Sequence, residues 1–335
     1  MIFSRRTKPG RAISLMLLGL LVVVTMVFLI AGCDSEDIPA EPVKLTMVTG
    51  GTAGTYYPIG GAIAKIITDF VAGAEATAIT SEGSVANARS IGSKEVELAL
   101  IENTIAYYAE QGSRMFAEDP VKDIRGIAAL YPEIVQIVTL KEYGINSLSD
   151  LKEKKVGVGA SGSGTAVHIL EIFEAAGLDE ANVDIQYLDF AECAEALKSG
   201  TIHVGCVVAG IPTSAVRDIA SVKEVAIVTV PDEIYSQLSS KYPFYVPVSI
   251  PAGTYTGVDE DAVTIAVQAM LATRADISVD LVYGVTKTIF EHTDVLIAAH
   301  ERGKDITLET ALDGMSIPLH HGAQRYFEEK GLSVP

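Results

Sequence analysis

Short apolar runs alternate with amphipathic segments along the chain, and this alternation predicts an α/β protein. Runs rich in Val, Ile and Leu indicate strands, whereas apolar residues three and four positions apart indicate helices. The predicted strands are 44–49, 96–101, 127–140, 155–159, 184–188, 204–208 and 225–230. The predicted helices are 58–71, 165–176, 191–199, 212–221, 259–273, 278–291 and 322–330. Strands that alternate with helices favour a largely parallel sheet.

The helix predicted at 58–71 shows the helical pattern clearly. Pro58 fits the first turn of a helix, where its missing N–H has no partner to lose. One side of the helix carries Ile59, Ile63, Ile66, Ile67 and Phe70. We therefore expect this side to face the protein core.

Two glycine-rich loops, each between a predicted strand and a predicted helix, have the same local design. Their sequences are VTGGTAGT at 48–55 and VGASGSGT at 158–165. In each loop the glycines let backbone N–H groups converge, the hydroxyl groups add donors, and the following helix N-terminus supplies partial positive charge. One such loop is weak evidence for a ligand site, because tight turns favour glycine. Two loops suggest two α/β lobes that hold an anionic ligand from both sides.

The first 33 residues have the pattern of an export signal. Residues 1–11 carry four basic residues and no acidic one, and residues 12–32 carry no charge. The charges stay in the cytoplasm while the apolar run enters the bilayer. The run ends in Ile-Ala-Gly-Cys33, which resembles the lipobox of bacterial lipoproteins, so we predict a signal peptide at 1–32 and a lipid anchor on Cys33. An uncleaved membrane anchor stays open as the alternative, because the run is long enough to span a bilayer.

Both alternatives place the rest of the chain outside the cytoplasm, in the periplasm or on the outer face of the membrane. Residues 33–42 are acidic, contain two prolines and predict a flexible tether. Loss of the four basic residues of the signal would lower the net charge from −18 to −22. This acidity argues against a nucleic-acid partner, which needs basic surfaces, and against binding to anionic lipid.

The second loop also invites an enzymatic interpretation. Residues 157–162 match G-x-G-x-x-G, the fingerprint of dinucleotide-binding loops. Neither Glu174 nor Asp184 clearly ends a second strand, as a ribose-binding acid should. A P-loop needs lysine where the chain has Thr165, and a hydrolase elbow needs glycine on both sides of its serine. An exported dinucleotide-binding enzyme stays open as an alternative, but we expect no enzyme, no catalytic residue and no cofactor.

Cysteine and histidine spacing adds little chemistry. Cys193 and Cys206 lie in a compartment that permits disulfides, and the sequence leaves open whether they pair or stay as buried thiols. The spacing of Cys and His residues predicts no metal site. His168, in the helix after the second loop, is expected to have a surface or packing role.

Several motifs, taken in order, resemble the TAXI family of solute receptors for tripartite ATP-independent periplasmic (TRAP) transporters. The resemblance covers about residues 44 to 330. It is carried by TGGTAGTYYP at 49–58, AALYPE at 128–133, the loop 159–165, FAE at 190–192, VAG at 208–210, IPAGTY at 250–255 and PLH at 318–320. Motifs in the correct order are more specific than any one of them alone.

The resemblance implies a two-lobed periplasmic-binding-protein fold with segments that cross between the lobes at a hinge. Lobe I is expected at 43–140 plus 245–335, and lobe II at 141–244. The ligand would be a small carboxylate, either a glutamate-like amino acid or a dicarboxylate, and the partner a TRAP membrane permease. Closure of the lobes would present the ligand to that permease. A receptor that signals to a membrane sensor stays open as a further alternative.

The resemblance also implies which residues contact the ligand in the cleft. They are Thr52, Thr55, Tyr56, Ser84, Asn87, Tyr131, Ser161, Ser163, Gly164, Thr165, Val208 and Gly210. Glu102 is a departure from the family, which often has Gln after the second strand. It follows an apolar run at a strand's carboxyl end, where open α/β sheets bind ligands. Glu102 could hold an ammonium group of the ligand, pair with Arg125, or lie outside the cleft.

Overall fold

The computed structural model describes residues 41–334 of the 335-residue chain. The predicted signal peptide at 1–32, the predicted lipidation at Cys33 and most of the tether at 33–42 lie outside the described residues. Among residues 41–334, no helix combines the length and the apolar character that crossing a membrane requires.

The described residues form one mixed sheet with helices around it. Its strands are β1 (Val43–Val48), β2 (Ala74–Ile79), β3 (Leu98–Glu102), β4 (Ile124–Leu140), β5 (Lys155–Gly157), β6 (Asp184–Gln186), β7 (Val204–Ala209), β8 (Val225–Val228), β9 (Val246–Ile250) and β10 (Ala262–Arg274). Their order is β2–β1–β3–β10–β4–β7–β5–β6, with β8 beside β4 and β9 beside β10. The outer pairs are parallel, as predicted, but every pair that involves β4 or β10 is antiparallel.

The helices of the described residues lie between these strands. They are α1 (Tyr56–Phe70), α2 (Ser84–Gly92), α3 (Asn103–Gln111), α4 (Gly164–Ala175), α5 (Phe190–Lys198), α6 (Ser214–Ala220), α7 (Asp232–Lys241), α8 (Val279–Glu291), α9 (Thr293–Ala299) and α10 (His321–Glu329). Short 3-10 turns lie at Arg114–Phe116, Lys141–Tyr143, Leu148–Leu151 and Glu301–Asp305.

The prediction of a helix at 259–273 is wrong, because this segment forms β10. Its alanines and methionine are compatible with a helix, but Val263, Thr264 and Ile265 favour an extended chain. Strands line both edges of β10, namely β3 and β9 on one edge and β4 on the other. Strand pairing of this kind is a tertiary effect, so the local sequence pattern did not reveal it.

Strands β4 and β10 connect the two halves of the sheet. The first part of β4 pairs with β10, and its last part, from Ile134, pairs with β7 and β8. Strand β10 runs in the opposite direction, from β9 to β3. Ile265 therefore packs in the core around α4, whereas Leu271 packs in the core around α1.

Helix α1 buries the side that its pattern predicts, with one exception. Ile59, Ile63, Ile66 and Ile67 are fully buried in the first core. Phe70, at the last residue of the helix, is 46% exposed and stacks on His292 with ring centroids 3.6 Å apart. The core thus fixes α1 against the sheet, and the first glycine-rich loop lies at the N-terminus of this helix.

Candidate ligand-binding site

The first glycine-rich loop connects β1 to α1 and contacts the far half of the sheet. Thr55, the residue before α1, donates a hydrogen bond from Oγ1 to the carbonyl oxygen of Gly210 at 3.1 Å. Gly54 packs against the ring of Phe190 at the start of α5. Tyr56 donates from its hydroxyl to Oε2 of Glu133, on β4, at 2.7 Å. The loop therefore joins the two halves of the sheet beside a buried carboxyl group.

The second glycine-rich loop connects β5 to α4 and is fixed by Ser163. Ser163 is the N-cap of α4, and its Oγ accepts a hydrogen bond from the N–H of Ala166 at 3.1 Å. The same hydroxyl donates to the carbonyl oxygen of Ala160 at 2.6 Å. Gly159 has φ of +102°, which favours glycine, and a side chain there would collide with Ser163 and Thr165.

A cavity of about 360 Å³ lies between the two loops. Nine of the predicted ligand contacts line it. They are Thr55, Tyr56, Ser84, Glu102, Ser161, Ser163, Gly164, Thr165 and Val208. Their role in binding stays a prediction, but the fold brings all nine to one place from segments far apart in sequence.

Four predicted contacts lie outside the lining. Thr52 is exposed on the first loop. Asn87 is buried, and its Nδ2 donates to the carbonyl oxygens of Thr49 and Leu100, so that it holds the first loop to β3. The carbonyl oxygen of Gly210 accepts the hydrogen bond from Thr55. Asn87 and Gly210 therefore have structural roles that need no ligand.

Tyr131 is the fourth predicted residue outside the lining. It is fully buried, and within residues 41–334 its hydroxyl has no hydrogen-bond partner. Burial, followed by the charges of Glu133 and Glu102, raises the pKa of Tyr131 well above its usual value. The residue therefore lies near both buried carboxyl groups as a neutral phenol.

Sequence reasoning missed several residues of the lining. The sequence analysis includes Glu133 only in the motif AALYPE and predicts no ligand contact for it. A single carboxylate inside the apolar run 127–140 is a signal that could have indicated a functional residue. The others are Ser81, Glu82, Gly83, Tyr187, Asp189, Phe190 and Glu192. The remaining lining residues belong to segments that the sequence predicts, namely Gly50, Gly51, Gly54 and Ala160 in the two glycine-rich loops and Ala209 between Val208 and Gly210. The first seven were not predicted. Most of these are in loops or in the first turn of α5, where the pattern carries little information about which way a side chain points.

Glu102 lies in the cavity wall and pairs with His168 rather than with Arg125. Oε2 of Glu102 is 3.4 Å from Nε2 of His168, and both side chains are buried. Arg125 instead donates to the carbonyl oxygens of Lys122 and Ile124. His168 is therefore buried behind the cavity wall, which excludes the predicted surface role and agrees with the predicted packing role.

The hydrogen bonds of His168 determine where its protons are. The hydroxyl of Tyr245 donates to Oε2 of Glu171 at 2.6 Å, so Nδ1 of His168, 2.7 Å away, must donate to the oxygen of Tyr245. Nε2 then faces Glu102, and that contact is favourable only if the pair holds one further proton between them. Burial is the largest single effect and lowers the pKa of His168, but the charge and hydrogen bond of Glu102, together with the charge of Glu171, outweigh it and raise the pKa overall. The charge of Glu102 is therefore balanced by its own partner.

Glu171 links this pair to the surface. It also accepts hydrogen bonds from the hydroxyl of Tyr108 at 3.2 Å and from the guanidinium of Arg114 at 3.1 Å. The Arg114 side chain is 41% exposed, whereas Glu171 is almost fully buried. Glu171 therefore accepts from two tyrosine hydroxyls and one cation, and it connects the buried His168 to the exposed Arg114.

The position of Glu102 bears on the dinucleotide interpretation. Its carboxylate lies against Gly164, the first residue of α4, where any side chain would overlap it. A pyrophosphate would need this same helix N-terminus. Because the protein's own carboxylate is already there, the second loop is a poor site for a dinucleotide, although its sequence matches the fingerprint.

Both cysteines of the described residues are buried free thiols. Cys193 lies on α5 and Cys206 on β7. Burial raises the pKa of Cys193 to about 12, and that of Cys206 is raised as well. Neither lines the cavity.

A mixed sheet crossed by two long strands, with a cavity between two strand-to-helix loops, is the mixed α/β fold of periplasmic binding proteins. The chain resembles a protein of Bordetella bronchiseptica RB50 with 15% identity and a TM-score of 0.55, over 87% of this chain and 98% of that one. It also resembles a structure described as a periplasmic transporter, with 12% identity and a TM-score of 0.50, over 87% and 93%. The alkanesulfonate-binding protein SsuA of Xanthomonas axonopodis pv. citri, bound to MOPS, matches with 13% identity and a TM-score of 0.46, over 87% and 85%.

The sequence model of the NMT1-like family matches residues 47–331. The chain belongs to the NMT1-like family. The match covers nearly all of the described residues, including both glycine-rich loops.

Proposed function

We propose that this chain is an extracytoplasmic solute-binding protein that captures a small polar solute and delivers it to a membrane transporter. The observation that carries the proposal is the cavity between the two loops. Its walls come from both halves of the sheet, and its volume of about 360 Å³ lies in the range of small-molecule sites.

Hinge closure is the mechanism that fits this arrangement. We keep the assignment of lobe I to 43–140 plus 245–335 and of lobe II to 141–244. By these bounds β4 belongs to lobe I, but from Ile134 onward it pairs with β7 and β8 of lobe II, so a small change in its backbone angles would open or close the cavity. A ligand that contacts both loops stabilises the closed form by its extra contacts.

The finer assignment rests on the sequence motifs. The motifs that resemble TAXI receptors support a TRAP permease as partner, and the lipobox-like segment supports a lipid anchor on Cys33. A test of the partner is solute uptake by cells that contain this chain with or without a TRAP permease. Uptake that needs both supports transport, whereas a change in signalling without uptake would favour a membrane sensor.

The ligand proposed from the motifs is a small carboxylate, and an amino acid fits the cavity better than a dicarboxylate. Two buried carboxyl groups, Glu102 and Glu133, line the cavity. A plain dicarboxylate would place further negative charge beside them, whereas an amino acid brings an ammonium group.

The binding experiment uses the soluble 43–335 fragment, unfolded and refolded to remove any bound solute. Thermal unfolding is followed with amino acids, dicarboxylates and NAD. A ligand at about 100 times its dissociation constant adds roughly 2.7 kcal/mol to stability and raises the melting temperature. Small-angle scattering should show a smaller radius of gyration with the same ligand. A response to NAD alone would contradict the transport function.

A further inference from the structure

The cavity is lined by carboxyl groups and lacks a balancing cation. Glu102 and Glu133 are buried in its wall, and the more exposed Glu82, Asp189 and Glu192 also line it. Within residues 41–334, the lining contains neither lysine nor arginine. A site of this charge attracts cations and repels anions.

Arg302 is adjacent to the cavity but is engaged elsewhere. Its side chain packs against Gly210, the neighbour of the lining residue Ala209. Its Nη1 is 3.0 Å from Oδ2 of Asp305. The guanidinium therefore balances Asp305 and not the carboxyl groups of the cavity.

The two buried carboxyl groups differ in their partners. Oε2 of Glu102 lies 3.4 Å from Nε2 of His168, and the carboxylate lies at the positive N-terminus of α4, next to Gly164. Its charge is compensated before any ligand binds. The Glu102 carboxylate thus lies at the helix N-terminus where the sequence analysis predicts an anionic ligand.

Glu133 has no such compensation. It is 2% exposed and accepts a hydrogen bond from Tyr56, but no cation lies within ion-pair distance of it in the described part of the chain. Burial, followed by the charge of Glu102, raises the pKa of Glu133 well above its ordinary 4.5. The neighbouring hydroxyl of Tyr131 is also without a partner. When it is ionised, a buried carboxyl group with these neighbours has no positive charge to pair with.

We propose that the ligand presents a protonated amino group to Glu133, so that the preferred solutes are amines, either zwitterionic or cationic, and not plain carboxylates. The inference rests on the proposed solute-binding function and names its ligand class. The ammonium supplies the charge that Glu133 lacks, and its three N–H donors suit Glu133 and Oε2 of Glu102, which lines the same cavity and accepts no hydrogen bond from the described residues.

Binding of an amine is then linked to a proton. The ionisable groups that face Glu133 are Tyr56, Tyr131 and Glu102, with His168 behind Glu102. Both tyrosines stay neutral because burial raises the pKa of each. When the ammonium binds, Glu133 gives up its proton to the solvent. Amine affinity therefore rises with pH up to the raised pKa of Glu133, whereas the affinity of a dicarboxylate would fall over the same range.

The test is isothermal titration of the refolded 43–335 fragment with lysine, 1,4-diaminobutane, glutamate and succinate. Titrations in two buffers with different ionisation enthalpies give the number of protons released. We expect binding of at least one amine, proton release on binding, and affinity that rises with pH. Binding of succinate alone, or affinity that falls as pH rises, overturns the inference and leaves the solute-binding function intact.

A matched pair of variants assigns the effect to Glu133. Glu133→Gln keeps the shape and the acceptor for Tyr56, and it should weaken amine binding roughly 10- to 100-fold and abolish proton release. Glu97→Gln removes a carboxylate that pairs with Arg274 outside the cavity, and it should leave both unchanged. An unchanged affinity in the folded Glu133→Gln protein, or the absence of binding by every amine at millimolar concentration, also overturns the inference. The proposed solute-binding function is tested separately, by small-angle scattering and by thermal unfolding with solutes that are not amines.

Discussion

At the residue scale, the site depends on how closely Glu102 packs against the backbone of Gly164. The carboxylate occupies the space where a Cβ would be, and it reaches His168 from there. Glycine at 164 is thus required by a side chain 62 positions earlier in the sequence. A motif search sees the same glycine as part of a phosphate-binding loop.

Gly164→Ala should destabilise the protein and disturb the Glu102–His168 pair. The added methyl group displaces the carboxylate, which costs about 1–3 kcal/mol of folding free energy. Gly61→Ala is the matched control, because Gly61 is exposed on α1 and a Cβ there meets no neighbour. It should stabilise the protein by up to about 1 kcal/mol. Urea unfolding measures both, and equal effects of the two variants would contradict this explanation.

Glu133→Gln should make the ligand-free protein more stable near neutral pH. Because the pKa of Glu133 is raised in the fold, the folded state holds a proton that the unfolded state releases above pH 4.5. Stability from this group is therefore lost as pH rises from 4.5 toward the raised pKa. The difference between variant and wild type should vanish below the ordinary pKa and grow above it. Urea unfolding across this range provides the measurement, and a constant difference would show that Glu133 does not titrate as described.

At the element scale, two of the protein's own side chains lie at the N-terminus of α4. Ser163 caps the N–H of Ala166, and the Glu102 carboxylate lies beside Gly164. The helix dipole is thereby used to hold the cavity wall in place. The corresponding end of α1 differs, because the Thr55 hydroxyl donates to Gly210 and caps no N–H of the helix.

Two N-cap variants separate helix stability from ligand binding. Ser163→Ala and Ser278→Ala each remove a side chain that accepts a hydrogen bond at the start of a helix, α4 and α8 respectively. Each should cost about 1 kcal/mol of stability, and less where the bond is long, as the 3.5 Å bond of Ser278 is. Only Ser163→Ala should also lower ligand affinity, since Ser163 lines the cavity. Chemical unfolding and ligand titration give the two quantities, and a loss of affinity in both variants would point to a general effect of stability.

At the scale of the whole molecule, charge shapes the approach of the ligand. The sequence carries a net charge of −18, and the lining of the cavity has the same sign. The long-range attraction between this negative charge and a cationic ligand accelerates association and is screened by salt. Contacts made after binding are screened much less.

The association rate of a cationic amine should fall several-fold as ionic strength rises to physiological values, with little change in the dissociation rate. The chain has no tryptophan, but Tyr56 and Tyr187 line the cavity, so stopped-flow tyrosine fluorescence can follow binding. A neutral solute provides the control, and its association rate should not depend on salt. Salt dependence confined to the dissociation rate would contradict steering by the net charge.

The sequence by itself determined the α/β class, most of the helices and the two loops that face the cavity. Helices such as α1 can be predicted because a helix buries one side, so its apolar residues recur every three or four positions within a short stretch of sequence. The loops were recognisable because glycine is needed where the backbone turns sharply between a strand and a helix. Nine of the predicted contacts, among them Tyr56 and Ser163, accordingly line one cavity.

Only the tertiary structure decided how these pieces meet. Strand β10 was read as a helix, because its extended form depends on neighbouring strands on both edges. The sequence pattern also could not predict that Glu102 pairs with His168 or that Glu133 lies beside Tyr56 without a cation, since both contacts join residues from distant segments. Hydrophobic periodicity reports which side of an element is buried but not which charge lies opposite another. The charge balance of the cavity, and with it the class of ligand, is therefore a property of the fold.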